Sequence, residues 1–64
     1  MKEIEIAIKD MKEFQKTHIE WAEFFEENPA VEEKYVATGE WDTAKKHREI
    51  AIKYDKIIKI LNKK

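Results

Sequence analysis

The sequence predicts an all-α fold: an antiparallel helical hairpin with a short connecting helix, which pairs with a second copy into a four-helix-type bundle. Three observations lead to this prediction. Apolar residues recur at helical spacing in two long segments, Asn28 and Pro29 end the first segment, and the only glycine, Gly39, precedes the second. A chain of 64 residues forms one domain at most, so we assign 1–64 to a single helical domain.

The first helix is predicted over about 2–27. Its apolar positions recur at alternating three- and four-residue steps, which is the spacing of one helix face: Ile4, Ala7, Met11, Phe14, His18, Trp21 and Phe25. The stretch EIEIAI also shows the alternation of a strand, but that alternation ends at Ile8 whereas the helical period continues. The helix is therefore the better prediction.

A short second helix is predicted over about 29–37. Asn28 is a favoured residue just before a helix, and Pro29 suits the first helical position. Glu32 then falls in the first turn, where the helix dipole favours carboxylates. Gly39 supplies the positive φ that commonly ends a helix.

The third helix is predicted over about 40–62. The same helical spacing returns along it in a second apolar face: Ala44, His47, Ala51, Tyr54, Ile58 and Leu61. Lysines gather toward its C-terminal end, where they complement the negative end of the helix dipole. Nothing in the spacing indicates a strand.

The stretch GEWDTAKKHREIAI, 39–52, resembles the second helix of a tetratricopeptide repeat in its glycine, its aromatic residue and its two alanines. The resemblance covers about fourteen residues of the chain, and the preceding helix is shorter than the first helix of such a repeat. We interpret it as convergent packing chemistry and assign no family.

Two histidines stand where the helical pattern calls for core residues. His18 lies about 15 Å before the end of the first helix and His47 about 12 Å after Gly39, so an antiparallel hairpin brings them to one level. An up-down-up bundle would separate them by more than two turns. We predict a polar core layer of His18, His47 and Tyr54, in which each imidazole bonds to the other, to Thr17, to Tyr54 or to water.

A metal site is the alternative for this pair. It needs three or four ligands, and the residues three positions before the histidines are Gln15 and Ala44 rather than the glutamates of di-iron bundles. We therefore predict no metal and no cofactor. A histidine buried in its neutral form makes stability fall as the pH drops below about 6.5.

The first helix has more apolar surface than one neighbour can cover, since Ile8 and Ile19 lie on one flank and Ile6 and Phe24 on the other. We expect a homodimer of hairpins to cover this surface. The alternative is a monomeric three-helix bundle whose second helix covers the flank with three residues: Val31, Tyr35 and Val36.

Charge is distributed unevenly although the net charge is −1. From Glu20 to Asp42, eight carboxylates face only Lys34, a local charge of −7, whereas Lys45 to Lys64 carries eight basic residues against two acidic ones, a local +6. The acidic stretch also holds aromatic residues, which is typical of a helix that docks against another protein. The predicted protein-interaction residues are Ile6, Glu20, Trp21, Glu23, Phe24, Glu26 and Glu27.

Two other binding activities are also compatible with the sequence. The acidic end could mimic the phosphates of a nucleic acid and inhibit a nucleic-acid-binding protein. The third helix could bind nucleic acid weakly through its basic side chains. The possible contact residues are Lys45, Lys46, Arg48, Lys53, Lys56 and Lys59.

Enzyme chemistry has little support, because the chain has no cysteine, no serine and no glycine-rich phosphate loop. No apolar run reaches the roughly 20 residues of a membrane span, and the N-terminal stretch lacks the apolar core of a signal peptide. We expect a cytoplasmic, non-enzymatic regulator or inhibitor that self-associates and binds a protein target without contacting membranes.

Overall fold

A computed structural model describes residues 2–63, and Met1 and Lys64 lie outside that range. The described chain forms three helices, α1 (Lys2–Glu27), α2 (Pro29–Ala37) and α3 (Ala44–Asn62), and contains no strand. The predicted all-α class and the predicted bounds of the first two helices are confirmed. α1 packs along α3, and α2 packs against the end of α1.

Two contacts between α1 and α3 show that the two helices run antiparallel. His18 Nδ1 lies 2.8 Å from His47 Nδ1, and one turn earlier on α1 the amide nitrogen of Gln15 donates to the carbonyl oxygen of Ala51, 3.2 Å away. Moving back along α1 therefore means moving forward along α3. The result is a rod whose Cα atoms span 44 × 16 × 15 Å.

Asn28 separates α1 from α2, as predicted, but its side chain acts on the helix before it. Its carbonyl oxygen accepts from the N–H groups of Val31 and Glu32, at 3.0 and 3.1 Å, which starts α2. Its side-chain amide donates to the carbonyl oxygen of Phe24 at 2.9 Å instead of capping α2. Asn28 therefore satisfies one of the last carbonyl groups of α1.

α3 begins at Ala44, so the predicted start at about residue 40 is wrong. Thr43 is the residue before the helix, and its hydroxyl accepts from the N–H of Lys46 at 3.1 Å. The carboxylate of Glu32 on α2 accepts from the N–H of Ala44 at 2.6 Å. Two of the four N–H groups left open at a helix start are thus satisfied, one locally and one from α2.

The connection between α2 and α3 is six residues long, 38–43. Gly39 has φ of +81°, as its predicted role at the end of α2 requires, and its N–H donates to the carbonyl oxygen of Val36 at 3.0 Å. The hydroxyl of Thr38 donates to the carbonyl oxygen of Tyr35 at 2.7 Å. These bonds close α2 and direct the chain back toward α3.

The core is concentrated where all three helices meet. Ala22, Phe25 and Ala44 are buried there, and three partly buried residues pack against them: Trp21, Val31 and Tyr35. Farther along the hairpin, Ala51 and Ile58 are the remaining buried apolar residues in the described range. We call residues 18–48 the closed half of the hairpin, and residues 2–17 together with 49–63 the open half.

The face that α1 turns toward α3 differs in part from the predicted one. Phe14 and Trp21 were expected in it, but Gln15 bonds to α3 and Ala22 is the fully buried residue. Phe14 is half exposed. Phe25, as predicted, is fully buried, and its ring contacts that of His47 on α3.

Candidate protein-interaction site

Five aromatic rings cluster at the closed half: Trp21, Phe24, Phe25, Tyr35 and Trp41. Trp21 is central, with its ring centroid 4.5 Å from that of Trp41 and 5.5 Å from that of Phe25. Phe24 meets Trp21 edge to face at 5.9 Å. α1, α2 and the connection 38–43 all supply rings, so this cluster ties the three elements together.

Trp41 reaches the cluster because it lies in the connection and not in α3. Its ring contacts Trp21 and also Tyr35, at a centroid distance of 5.6 Å. The predicted third helix, about 40–62, included Trp41, so its contacts in this cluster were not predicted. Thr43, a favoured residue just before a helix, is the signal that could have moved the predicted start past Trp41.

Beside this cluster, the surface of α1 has a shallow, open depression lined by Thr17, Glu20, Trp21 and Phe24, which we call the groove. Phe24 is 42% exposed there. Three of these lining residues were predicted to bind a protein, and Thr17 was not among them. The structure does not bring the predicted residue Ile6 to this groove, because 18 residues of helix, about 27 Å, separate it from Phe24.

The predicted carboxylates surround the groove and the end of α1. Glu20, Glu23 and Glu27 are exposed. Glu26 forms an ion pair within the chain, since both its carboxylate oxygens lie 2.6 Å from side-chain nitrogens of Arg48. The hydrogen bonds from Arg48 lower the pKa of Glu26 below its usual value.

Folding distributes the predicted basic residues between the two halves. Lys45, Lys46 and Arg48 lie in the closed half beside the carboxylates, whereas Lys53, Lys56 and Lys59 follow along the open half. Arg48 pairs with Glu26, and Lys59 lies 3.1 Å from Asp55. Counting Lys and Arg against Asp and Glu, the closed half carries eight negative and four positive charges, a net −4. The described open half carries six negative and eight positive charges, a net +2.

The two histidines bond directly to each other, which was one of the predicted arrangements. Their Nδ1 atoms lie 2.8 Å apart, so one Nδ1–H donates and the other Nδ1 accepts. Tyr54 completes the layer by stacking on His18, with centroids 5.8 Å apart. The meeting of the histidines at one level confirms the hairpin topology over the up-down-up alternative.

His47 is the more confined of the two histidines. It is 6% exposed, and its Nε2 is buried without a hydrogen-bond partner among residues 2–63. Burial lowers the pKa of His47, the nearby His18 lowers it further, and the charge of Asp42 partly opposes both. Because protonation would place a charge and a second N–H in this confined position, the neutral imidazole is favoured.

Residues 2–63 contain no group of three or more histidine, cysteine or carboxylate side chains placed to hold a metal ion. The histidine pair alone supplies two ligands, fewer than a structural metal site in a protein uses. Over the same residues, no helix is long and apolar enough to cross a membrane.

Comparisons with protein-family models, with curated proteins and with solved structures found no significant match. The resemblance of 39–52 to a tetratricopeptide helix is therefore not accompanied by a family match. In the structure α3 begins inside that stretch, at Ala44, so its glycine and tryptophan lie in a connection and not in a helix.

Proposed function

We propose that this protein is a non-enzymatic interaction module that regulates or inhibits a protein target by binding it at the closed half of the hairpin. The target presents a basic amphipathic helix or a similar segment, with an apolar side chain flanked by lysines or arginines. The observation that carries this proposal is the open groove on α1, whose apolar residues Trp21 and Phe24 lie among carboxylates.

The exposure of Phe24 supports a role in binding. Several large apolar residues of this chain are exposed, and Phe24 is the one among them that lines the groove. Phe24 is 42% exposed, while its neighbour Phe25 is fully buried. Aromatic side chains that are held in place by other rings and still reach solvent are typical anchors of protein interfaces.

The carboxylates around the groove indicate a partner with basic side chains. Glu20 lines the groove, Glu23 and Glu27 lie nearby on α1, and the closed half carries a net −4. An apolar anchor would enter the groove while basic side chains meet these carboxylates. Since the carboxylates are exposed, their contribution decreases as the salt concentration rises.

Binding can be tested with a labelled amphipathic peptide of leucine and lysine at helical spacing, followed by fluorescence anisotropy. We expect saturable binding that weakens with salt, and a loss of at least about tenfold in affinity for Phe24→Ala. Ile52→Ala is the control, because Ile52 is also an exposed apolar residue, at 56%, but lies on α3 and does not line the groove. Equal losses for the two variants would contradict the proposal.

A labelled DNA duplex, measured in parallel, tests the nucleic-acid alternatives. Two of the six candidate basic residues already pair with carboxylates of this chain, Arg48 with Glu26 and Lys59 with Asp55, which weakens that alternative. We expect the duplex to bind far more weakly than the peptide at equal salt. Binding of the duplex in preference to the peptide would favour an accessory nucleic-acid-binding protein instead.

We further propose that the module self-associates into a four-helix-type bundle. The support is the small core, since five apolar residues are buried in the described range and three of them are alanines. Such a core leaves a 64-residue chain with little stability to spare. Sedimentation at several concentrations is the direct test, and a monomer mass throughout would contradict this part of the proposal.

A further inference from the structure

Four apolar residues near the middle of the hairpin form a strip on one side of the two-helix layer, two of them exposed and two partly buried. Ile50, Tyr54 and Ile57 follow one another at four- and three-residue steps and so share one face of α3. The ring of Phe14 on α1 lies 5.9 Å from that of Tyr54. Phe14 is 51% and Ile57 40% exposed, and we call these four residues the central strip.

The chain exposes more surface than a compact monomer of its mass. The accessible surface is 5142 Å², whereas a compact monomer of 7.7 kDa exposes about 4300 Å² by the usual scaling with mass. The excess, about 800 Å², equals the area that each partner buries in a standard protein–protein interface. Contact with one partner of similar size would bury an area of this order.

The central strip is complementary to itself. Phe14 lies at the middle of α1 and Tyr54 within one residue of the middle of α3. Ile50 lies one turn from Tyr54 toward the closed half, and Ile57 lies about one turn toward the open half. A two-fold axis through the middle of the strip, perpendicular to the rod, would place Ile57 of each copy against Ile50 of the other.

Charge favours the same arrangement. A perpendicular two-fold axis reverses the direction of the second rod, so the closed half of each copy lies beside the open half of the other. The closed half carries a net −4 and the described open half a net +2, so this arrangement brings opposite charges together. Two rods packed in the same direction would bring the two −4 halves together.

We propose that the central strip is the self-association surface, and that it binds a second copy of this chain in the reversed orientation to form a four-helix-type bundle of two antiparallel rods. This inference rests on the proposed self-association and specifies its surface and its geometry. The central strip shares no residue with the groove at Trp21 and Phe24.

The first experiment compares Ile57→Glu with Ile52→Glu by sedimentation at several concentrations. Both residues are exposed isoleucines on α3, but Ile52 is not in the central strip and is 56% exposed. We expect a dimer for the unmodified chain and for Ile52→Glu, and a dimer dissociation constant raised at least about tenfold for Ile57→Glu. A circular dichroism spectrum checks that each variant is helical.

The double variant Ile50→Lys/Ile57→Glu tests the orientation. In the reversed dimer the introduced lysine of each copy faces the introduced glutamate of the other, so dimerisation should recover relative to Ile57→Glu alone. In a dimer with the rods in the same direction, the two glutamates would face each other, and no recovery would follow. Absence of recovery would overturn the proposed orientation.

Cross-linking provides a test that does not rely on weakening the interface. The chain has no cysteine, so Phe14→Cys and Ile52→Cys each introduce a single thiol. With a short thiol-specific cross-linker, Phe14→Cys should give covalent dimers and Ile52→Cys should not. Equal cross-linking of both, or an unmodified chain that sediments as a monomer, would overturn the assignment; only the second result would also overturn the proposed self-association.

Discussion

The two halves of the hairpin differ in how their apolar residues are covered. In the closed half, α1, α2 and the connection 38–43 surround Phe25, which is fully buried. In the open half only α1 and α3 contact each other, and Ala51 and Ile58 are the buried apolar residues among those described. The closed half therefore has a core of its own. In the open half, the apolar residues have only the pairing of α1 with α3 to cover them.

The greatest loss of stability is expected from a substitution in the closed half. Phe25→Ala removes the fully buried ring that contacts Trp21, Tyr35 and His47, and should lower the free energy of unfolding by about 3–5 kcal/mol. For a small domain that is a large part of the total stability. Urea unfolding followed by tryptophan fluorescence measures it.

Phe24→Ala is the matched control for Phe25→Ala, because Phe24 is the adjacent residue and is 42% exposed. Phe24→Ala should lower the free energy of unfolding clearly less than Phe25→Ala does. Equal costs for the two variants would show that the closed half is not packed around Phe25, and the contrast between the halves would fail.

A smaller effect tests the start of α3. Thr43→Ala removes the hydroxyl that accepts from the N–H of Lys46, which typically costs about 1 kcal/mol. Thr17→Ala is the control, because the hydroxyl of Thr17 donates to the carbonyl oxygen of Glu13 inside α1 and its removal should leave stability nearly unchanged. If Thr43→Ala is also neutral, Glu32 alone suffices to start the helix.

The smallest effect concerns pH, because it involves a single buried imidazole. Since the folded pKa of His47 is lowered, the unfolded chain binds more protons below about pH 6.5, and stability falls as the pH drops from that value toward the folded pKa. We expect a lower Tm near pH 5.5 than near pH 7.5. His47→Leu should reduce this difference, and an unchanged difference in that variant would assign it to other groups.

The local signals in the sequence were sufficient for most of the fold. The helical spacing of apolar residues predicted α1, and the pair Asn28–Pro29 with Gly39 predicted the bounds of α2. The distances of His18 and His47 from the turn predicted that the two rings meet, because helix rise per residue is nearly constant. Each of these inferences needs only neighbours in the chain or a fixed geometry.

The other contacts between distant residues were beyond such signals. The bond from the N–H of Ala44 to the carboxylate of Glu32 joins two elements, and no pattern within either element indicates it. The sequence also offered more apolar residues on α1 than one face can hold. Which of two neighbours, Phe14 or Gln15, turns toward α3 depends on how closely the backbones approach, and that depends on both helices.

The candidate site was predictable in composition but not in arrangement. Trp21 and Phe24 were identified from their acidic surroundings, and they do line one groove. Ile6 was grouped with them because it shares their side of the helix, although it lies too far along α1 to join them. Trp41 was missed because its position depends on where α3 begins.

The two polar contacts between α1 and α3 also determine where the chain can change in length. Gln15 and His18 are one turn apart, and each bonds to a partner on α3. One residue inserted between them would rotate the rest of α1 by about 100°, so the histidine bond and the burial of Phe25 could not both be kept with the Gln15 bond. Insertions and deletions between the two contacts are therefore incompatible with this fold.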